Sequence, residues 1–104
     1  MKDFNGKVAV ITGGASGVGR SLAFALGRRG ARIAIGDVDA QAMKQVAADL
    51  AAESIESIVE HCDVTSVDSL TALADAATAH LGAPDLVFAN AGIGAGETGA
   101  MWDY

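Results

Sequence analysis

Thr12-Gly13-Gly14-Ala15-Ser16-Gly17-Val18-Gly19 is the stretch that decides the fold. Directly before it runs Val8-Ala9-Val10-Ile11, an apolar segment without a polar break. Short unbroken runs of this kind suit a strand buried on both faces, as in a parallel sheet. After it, Val18, Leu22 and Leu26 recur at helical spacing, and Gly30 supplies a stop. The glycines therefore sit where a strand must turn into a helix. Each has a physical use there. Gly13 can make the turn, Gly17 offers a pyrophosphate close approach to the backbone, and Gly19 allows the helix to pack tightly. The helix N-terminus adds unpaired N–H groups and partial positive charge. A strand-to-helix turn alone needs fewer glycines than this.

Working outward, Ile33-Ala34-Ile35 reads as a second strand closed by Asp37. Asp39 can cap a second helix whose inner face is Met43, Val46 and Leu50, with Lys44, Gln45 and Asp49 outward. Residues 55–62 form a third strand, mixed enough in polarity for a sheet edge. Thr65 or Ser66 caps a third helix, with Asp68 in its first turn and Val67, Leu70, Ala74, Ala77 and Leu81 as its buried stripe. Gly82 ends it and Pro84 prevents continuation. Leu86-Val87-Phe88-Ala89 is a fourth strand, followed by a second glycine-rich segment over 90–99. The alternation predicts an α/β, Rossmann-like doubly wound parallel sheet of strand order 3-2-1-4, joined by right-handed crossovers.

Composition excludes several alternatives. The chain has 104 residues, room for one domain, and a 51% hydrophobic content that argues against disorder. A net charge of −6, with Arg28-Arg29 as the sole adjacent basic pair, offers no footprint for nucleic acid. Cys62 is the only cysteine, so neither an intrachain disulfide nor a cysteine metal site is expected. With no signal peptide or membrane span evident near the N-terminus, a cytoplasmic location is the expectation. His61 has no partner at ligand spacing, and Cys62 reads as a small buried residue.

The glycine spacing is G-x-x-x-G-x-G after a threonine, which resembles the cofactor loop of the short-chain dehydrogenase/reductase family. Cys62-Asp63-Val64 resembles that family's adenine-site motif. Asn90-Ala91-Gly92 resembles its Asn-Asn-Ala-Gly motif, with Ala89 in place of the first asparagine. The resemblance spans nearly the whole chain and implies oxidation of an alcohol or reduction of a carbonyl with NAD or NADP. It implies a cofactor site of Gly13, Ser16, Gly17, Val18, Gly19, Asp37, Asp63, Val64, Asn90, Ala91 and Gly92. Asp63 and Val64 would meet the adenine, and Asn90 to Gly92 the nicotinamide ribose. Asp63 has a compatible alternative reading as an Asx turn into the third helix, and Asn90 reads on nearly equal terms as a structural tie between strands.

Asp37 lies about 20 residues after the glycines, where a carboxylate can accept from a ribose 2′-OH. It would also repel a 2′-phosphate. NADP-preferring relatives tend to carry a basic residue where this chain has Ser16 or Val38. NAD is therefore expected over NADP, with Arg20 and Arg32 as the two side chains able to complicate the choice.

The family's proton relay, a Tyr-x-x-x-Lys pair with a serine and an asparagine, has no counterpart. Tyr104 is the only tyrosine and the last residue. No catalytic residue is assigned. Residues 1–104 are expected to be the N-terminal cofactor-binding portion of an enzyme, truncated before its catalytic half, and inactive alone. The alternative is a nonenzymatic dinucleotide-binding module. The intact enzyme would take a small alcohol or carbonyl substrate and form a homo-oligomer. Met101-Trp102-Asp103-Tyr104 resembles the start of the family's fourth helix, which would leave one side of the fourth strand unpaired.

Overall fold

The computed structural model describes residues 4–15, 17–90 and 101–103. Strands β1 (Val8–Thr12), β2 (Arg32–Asp37), β3 (Ser57–His61) and β4 (Leu86–Asn90) alternate with helices α1 (Gly17–Gly27), α2 (Ala40–Ala52) and α3 (Val67–His80). The four strands are parallel in the order β3-β2-β1-β4, as the sequence pattern predicts. The register sets Thr12 beside Gly36 and Ala89, and Gly36 beside Glu60. All four strands therefore finish along one edge, and β3 is an outer strand.

Burial follows the period-2 alternation of a strand covered on both faces. Ala9, Ile11, Ile33 and Ile35 join Ala23, Phe24 and Leu26 of α1 and Met43, Val46 and Leu50 of α2 in one core. Val8, Val10 and Ala34 turn the other way, onto Leu73 and Ala77 of α3, with Cys62 and Leu81. Ile11, Ile33 and Ile35 are fully enclosed, each contributing about 2 kcal/mol of burial.

Three expectations need correction. Val18 is 62% exposed, because it lies on the first turn of α1 where the helix has not yet reached the sheet. The buried side of α3 is Leu73 and Ala77, whereas Val67 and Leu70 are exposed. Its apolar stripe is wider than the surface it docks on, and one flank of that stripe makes the contact. The tail also differs. Met101–Asp103 is a strand, β5, not the start of a helix. It pairs antiparallel with β4, setting Phe88 opposite Asp103 and Asn90 opposite Met101. An open strand edge offers a row of N–H and C=O groups, and backbone of any sequence can satisfy them.

Candidate cofactor site

Three turns leave the sheet at the common strand edge, after β1, β2 and β3. The turn after β1 hangs on the end of β2. The Gly36 carbonyl accepts from Gly13 N–H at 2.7 Å and from Gly14 N–H at 3.4 Å. The Asp37 carboxylate accepts from Ala15 N–H at 3.1 Å. α1 then begins at Gly17, whose φ of +58° falls in the left-handed region that glycine adopts without strain. Among the described residues, a Cβ built there would meet nothing within 4 Å, so they leave the space over this residue open. Gly19 is the opposite case. Its Cβ would fall on the Gly13 carbonyl oxygen and 2.7 Å from Gly14 Cα. The close approach it permits is thus of helix to loop, rather than of helix to strand.

This geometry suits a bound pyrophosphate. The first N–H groups of a helix have no intrahelical acceptor, and the first turn of α1 holds no acidic side chain. Open space over Gly17 gives an anion access to that end.

Asp37 is half-buried at the end of β2. Besides Ala15 N–H, its carboxylate accepts from Val38 N–H at 2.7 Å and Asp39 N–H at 3.2 Å. Val38 beside it is exposed and uncharged. The two arginines that bear on cofactor choice are committed elsewhere. Arg20 pairs with Asp49 of α2 at 2.7 Å and lies over the Phe24 ring. Arg32 starts β2, at the opposite edge of the sheet, and donates to the Leu81 carbonyl. Arg28, just after α1, pairs with Glu53 and also lies over the Phe24 ring. These pairs draw the Asp49 and Glu53 carboxyls below the usual range, chiefly through the arginine hydrogen bonds.

After β3, Asp63 accepts from both the N–H and the hydroxyl of Thr65, at 2.9 and 2.7 Å. Those two bonds hold its carboxyl below the ordinary range. The Asx turn is therefore present, and the side chain is still exposed at the strand edge beside Val64, itself 40% exposed. Cys62 is enclosed, and its thiol is pushed up by burial and by Asp63, Glu60 and Asp37, so it is protonated at neutral pH. Asn90 ends β4. Ser16, Ala91 and Gly92 lie outside the described residues.

The structure thus bonds Ala15 to Asp37 and Gly13 to Gly36, and ranges Gly17, Val18, Asp63, Val64 and Asn90 along the same edge. Ala15 and Gly36 belong to this assembly but carry no motif role. A hint existed for Gly36, since glycine inside an apolar strand marks a close approach. Its Cβ would stand 2.6 Å from Leu73 and 2.8 Å from Cys62. Among the described residues no group of three His, Cys, Asp or Glu side chains could hold a metal ion. Nor is any described helix long and apolar enough to cross a membrane.

A family profile described as short chain dehydrogenase matches residues 7–103. The chain is 40% identical over 102 residues to (+)-borneol dehydrogenase 1 of Salvia officinalis, covering 98% of this chain and 38% of that protein. Among solved structures, a hydroxysteroid dehydrogenase from Escherichia coli superposes with a TM-score of 0.83 and 34% identity, over 86% of this chain and 38% of that one. A short chain dehydrogenase/reductase from Burkholderia phymatum in complex with NAD gives 0.80 and 39%, over 84% and 31%. The chain therefore spans between three and four tenths of the length of these proteins.

Proposed function

Because the chain belongs to the short-chain dehydrogenase/reductase family, we propose that it is the N-terminal, dinucleotide-binding portion of an NAD-dependent oxidoreductase acting on a small alcohol or carbonyl. The observation that carries this reading is the turn after β1, with Gly17 left uncovered by the described residues and a carboxylate, Asp37, fixed beside the loop. In this reading Gly13, Ser16, Gly17, Val18 and Gly19 surround the pyrophosphate. Asp63 and Val64 receive the adenine, and Asn90, Ala91 and Gly92 border the nicotinamide ribose. When bound, the nicotinamide accepts or donates hydride. The chain's own part is to hold and orient it.

The preference for NAD over NADP rests on charge. A carboxylate at Asp37 can accept a 2′-hydroxyl proton and repels a 2′-phosphate. The neighbouring Val38 supplies no cation, and Arg20 and Arg32 are held by other partners. The NAD complex of the Burkholderia phymatum relative agrees with this choice. No residue is given a catalytic role, since no Tyr-x-x-x-Lys pair occurs in these 104 residues. A cytoplasmic setting and a homo-oligomeric intact enzyme belong to the same proposal.

Calorimetric titration of the purified protein with each dinucleotide tests it. NAD is expected to bind at least about tenfold more tightly than NADP, a difference of about 1.4 kcal/mol. Equal or tighter binding of NADP would overturn the NAD assignment. Binding of neither would overturn the dinucleotide reading.

A further inference from the structure

Asp37 has more hydrogen-bonding work in this structure than reading a ribose requires. One carboxylate oxygen takes the N–H groups of Val38 and Asp39, which shapes the exit from β2. The other takes Ala15 N–H, twenty-two positions earlier in the chain. Ala15 is 4% exposed, and a buried N–H left without an acceptor is costly. The other two links from the loop to β2 run to the Gly36 carbonyl, which is backbone. Ala15 is held by a side chain, through a bond strengthened by the acceptor's charge. A carboxylate offers about four acceptor directions. Three are in use by backbone N–H groups, which leaves room for one donor such as a hydroxyl.

We propose that Asp37 is a positioning residue for the glycine loop, holding it through Ala15 N–H in the shape that receives the pyrophosphate, as well as the residue that selects between ribose 2′-substituents. The second role rests on the dinucleotide reading, and the first does not. Selectivity and loop order are then carried by one carboxylate. Removing it to admit NADP disorders the site that both cofactors share.

Amide hydrogen exchange followed by NMR, without cofactor, separates the two roles. Asp37→Asn keeps the shape and one acceptor oxygen, enough for the β2 exit or for Ala15 but not for both. Asp37→Ala removes both. Exchange is expected to quicken by at least about tenfold at Ala15 in Asp37→Ala, the scale of a lost bond to a charged acceptor, and at Ala15 or at Val38 and Asp39 in Asp37→Asn. Core amides such as those of Ile33 and Val46 should stay protected. Affinity for NAD and for NADP is expected to fall together in Asp37→Ala. Unchanged exchange at Ala15 in Asp37→Ala would overturn the proposal. So would an Asp37→Ala variant that exchanges NAD for NADP at equal affinity. Loss of protection throughout the core in both variants would also contradict a tether confined to the loop. A wild-type protein that binds neither cofactor would refute the dinucleotide reading, and the exchange result would still decide whether Asp37 holds the loop.

Discussion

The turns that lead into α1 and α3 leave the same sheet edge with β2 between them, yet they are built to opposite ends. The start of α3 is finished by its own side chains. Asp63 closes an Asx turn, the Ser66 hydroxyl accepts from Ser69 N–H at 3.2 Å, and Asp68 sits in the first turn facing the positive end of the helix. α2 is treated the same way, with Asp39 accepting from Ala42 N–H. The first turn of α1 has no acid, and the residue that opens it is a glycine over which no described residue lies within 4 Å of a Cβ position. Where a helix end serves only the fold, the chain supplies the negative partner locally. At α1 the described part of the loop is fastened from behind, onto Gly36 and Asp37.

The largest effect should come from closing the open start of α1. Gly19→Val would drive side-chain carbon into the Gly13 carbonyl and force the loop to move. Dinucleotide binding is expected to disappear by calorimetry, with about 1–3 kcal/mol of stability lost to overpacking in urea unfolding. Normal NAD affinity in this variant would detach the glycine spacing from cofactor binding.

At the start of α3 the expectation reverses. Ser66→Ala should cost about 1 kcal/mol of stability, the usual loss of an N-cap, and leave NAD affinity unchanged. An equal loss of NAD affinity would mean that the two helix starts are not independent.

The smallest effect concerns Asp63. Its folded-state pKa lies below the unfolded value because of Thr65. This contribution to stability is complete above the unfolded carboxylate pKa of about 4. It is lost as pH falls through the lower folded value. Thr65→Ala should raise the Asp63 pKa toward the ordinary range in an NMR titration of the carboxyl carbon. The stabilities of the two proteins should differ at pH 7 and converge in acid. An unshifted Asp63 would mean that the Thr65 hydroxyl bond does not hold in solution.

Most of this frame is legible in the sequence, because it rests on local chemistry. Val8 to Ile11 reads as a buried strand, Asp39 and Ser66 read as caps, and the glycine spacing announces a strand-to-helix turn. The remainder depends on distant partners. Periodicity shows that α3 has an apolar stripe but not which flank meets the sheet, so it overlooks Leu73 and misplaces Val67. The pairing of Met101–Asp103 with β4 is a property of an open edge rather than of those residues. The bond from Asp37 to Ala15 joins positions that no spacing rule connects.

The central claim, that the strand edge around the open start of α1 receives a dinucleotide, is tested most directly by an NMR titration of the isotope-labelled protein with NAD. Saturable amide shifts are expected, concentrated at Gly13, Ala15, Gly17–Gly19, Asp37, Asp63, Val64 and Asn90, with the α1–α2 groove around Arg28 and Glu53 unmoved. Shifts centred on that groove, or none at millimolar NAD, would contradict it.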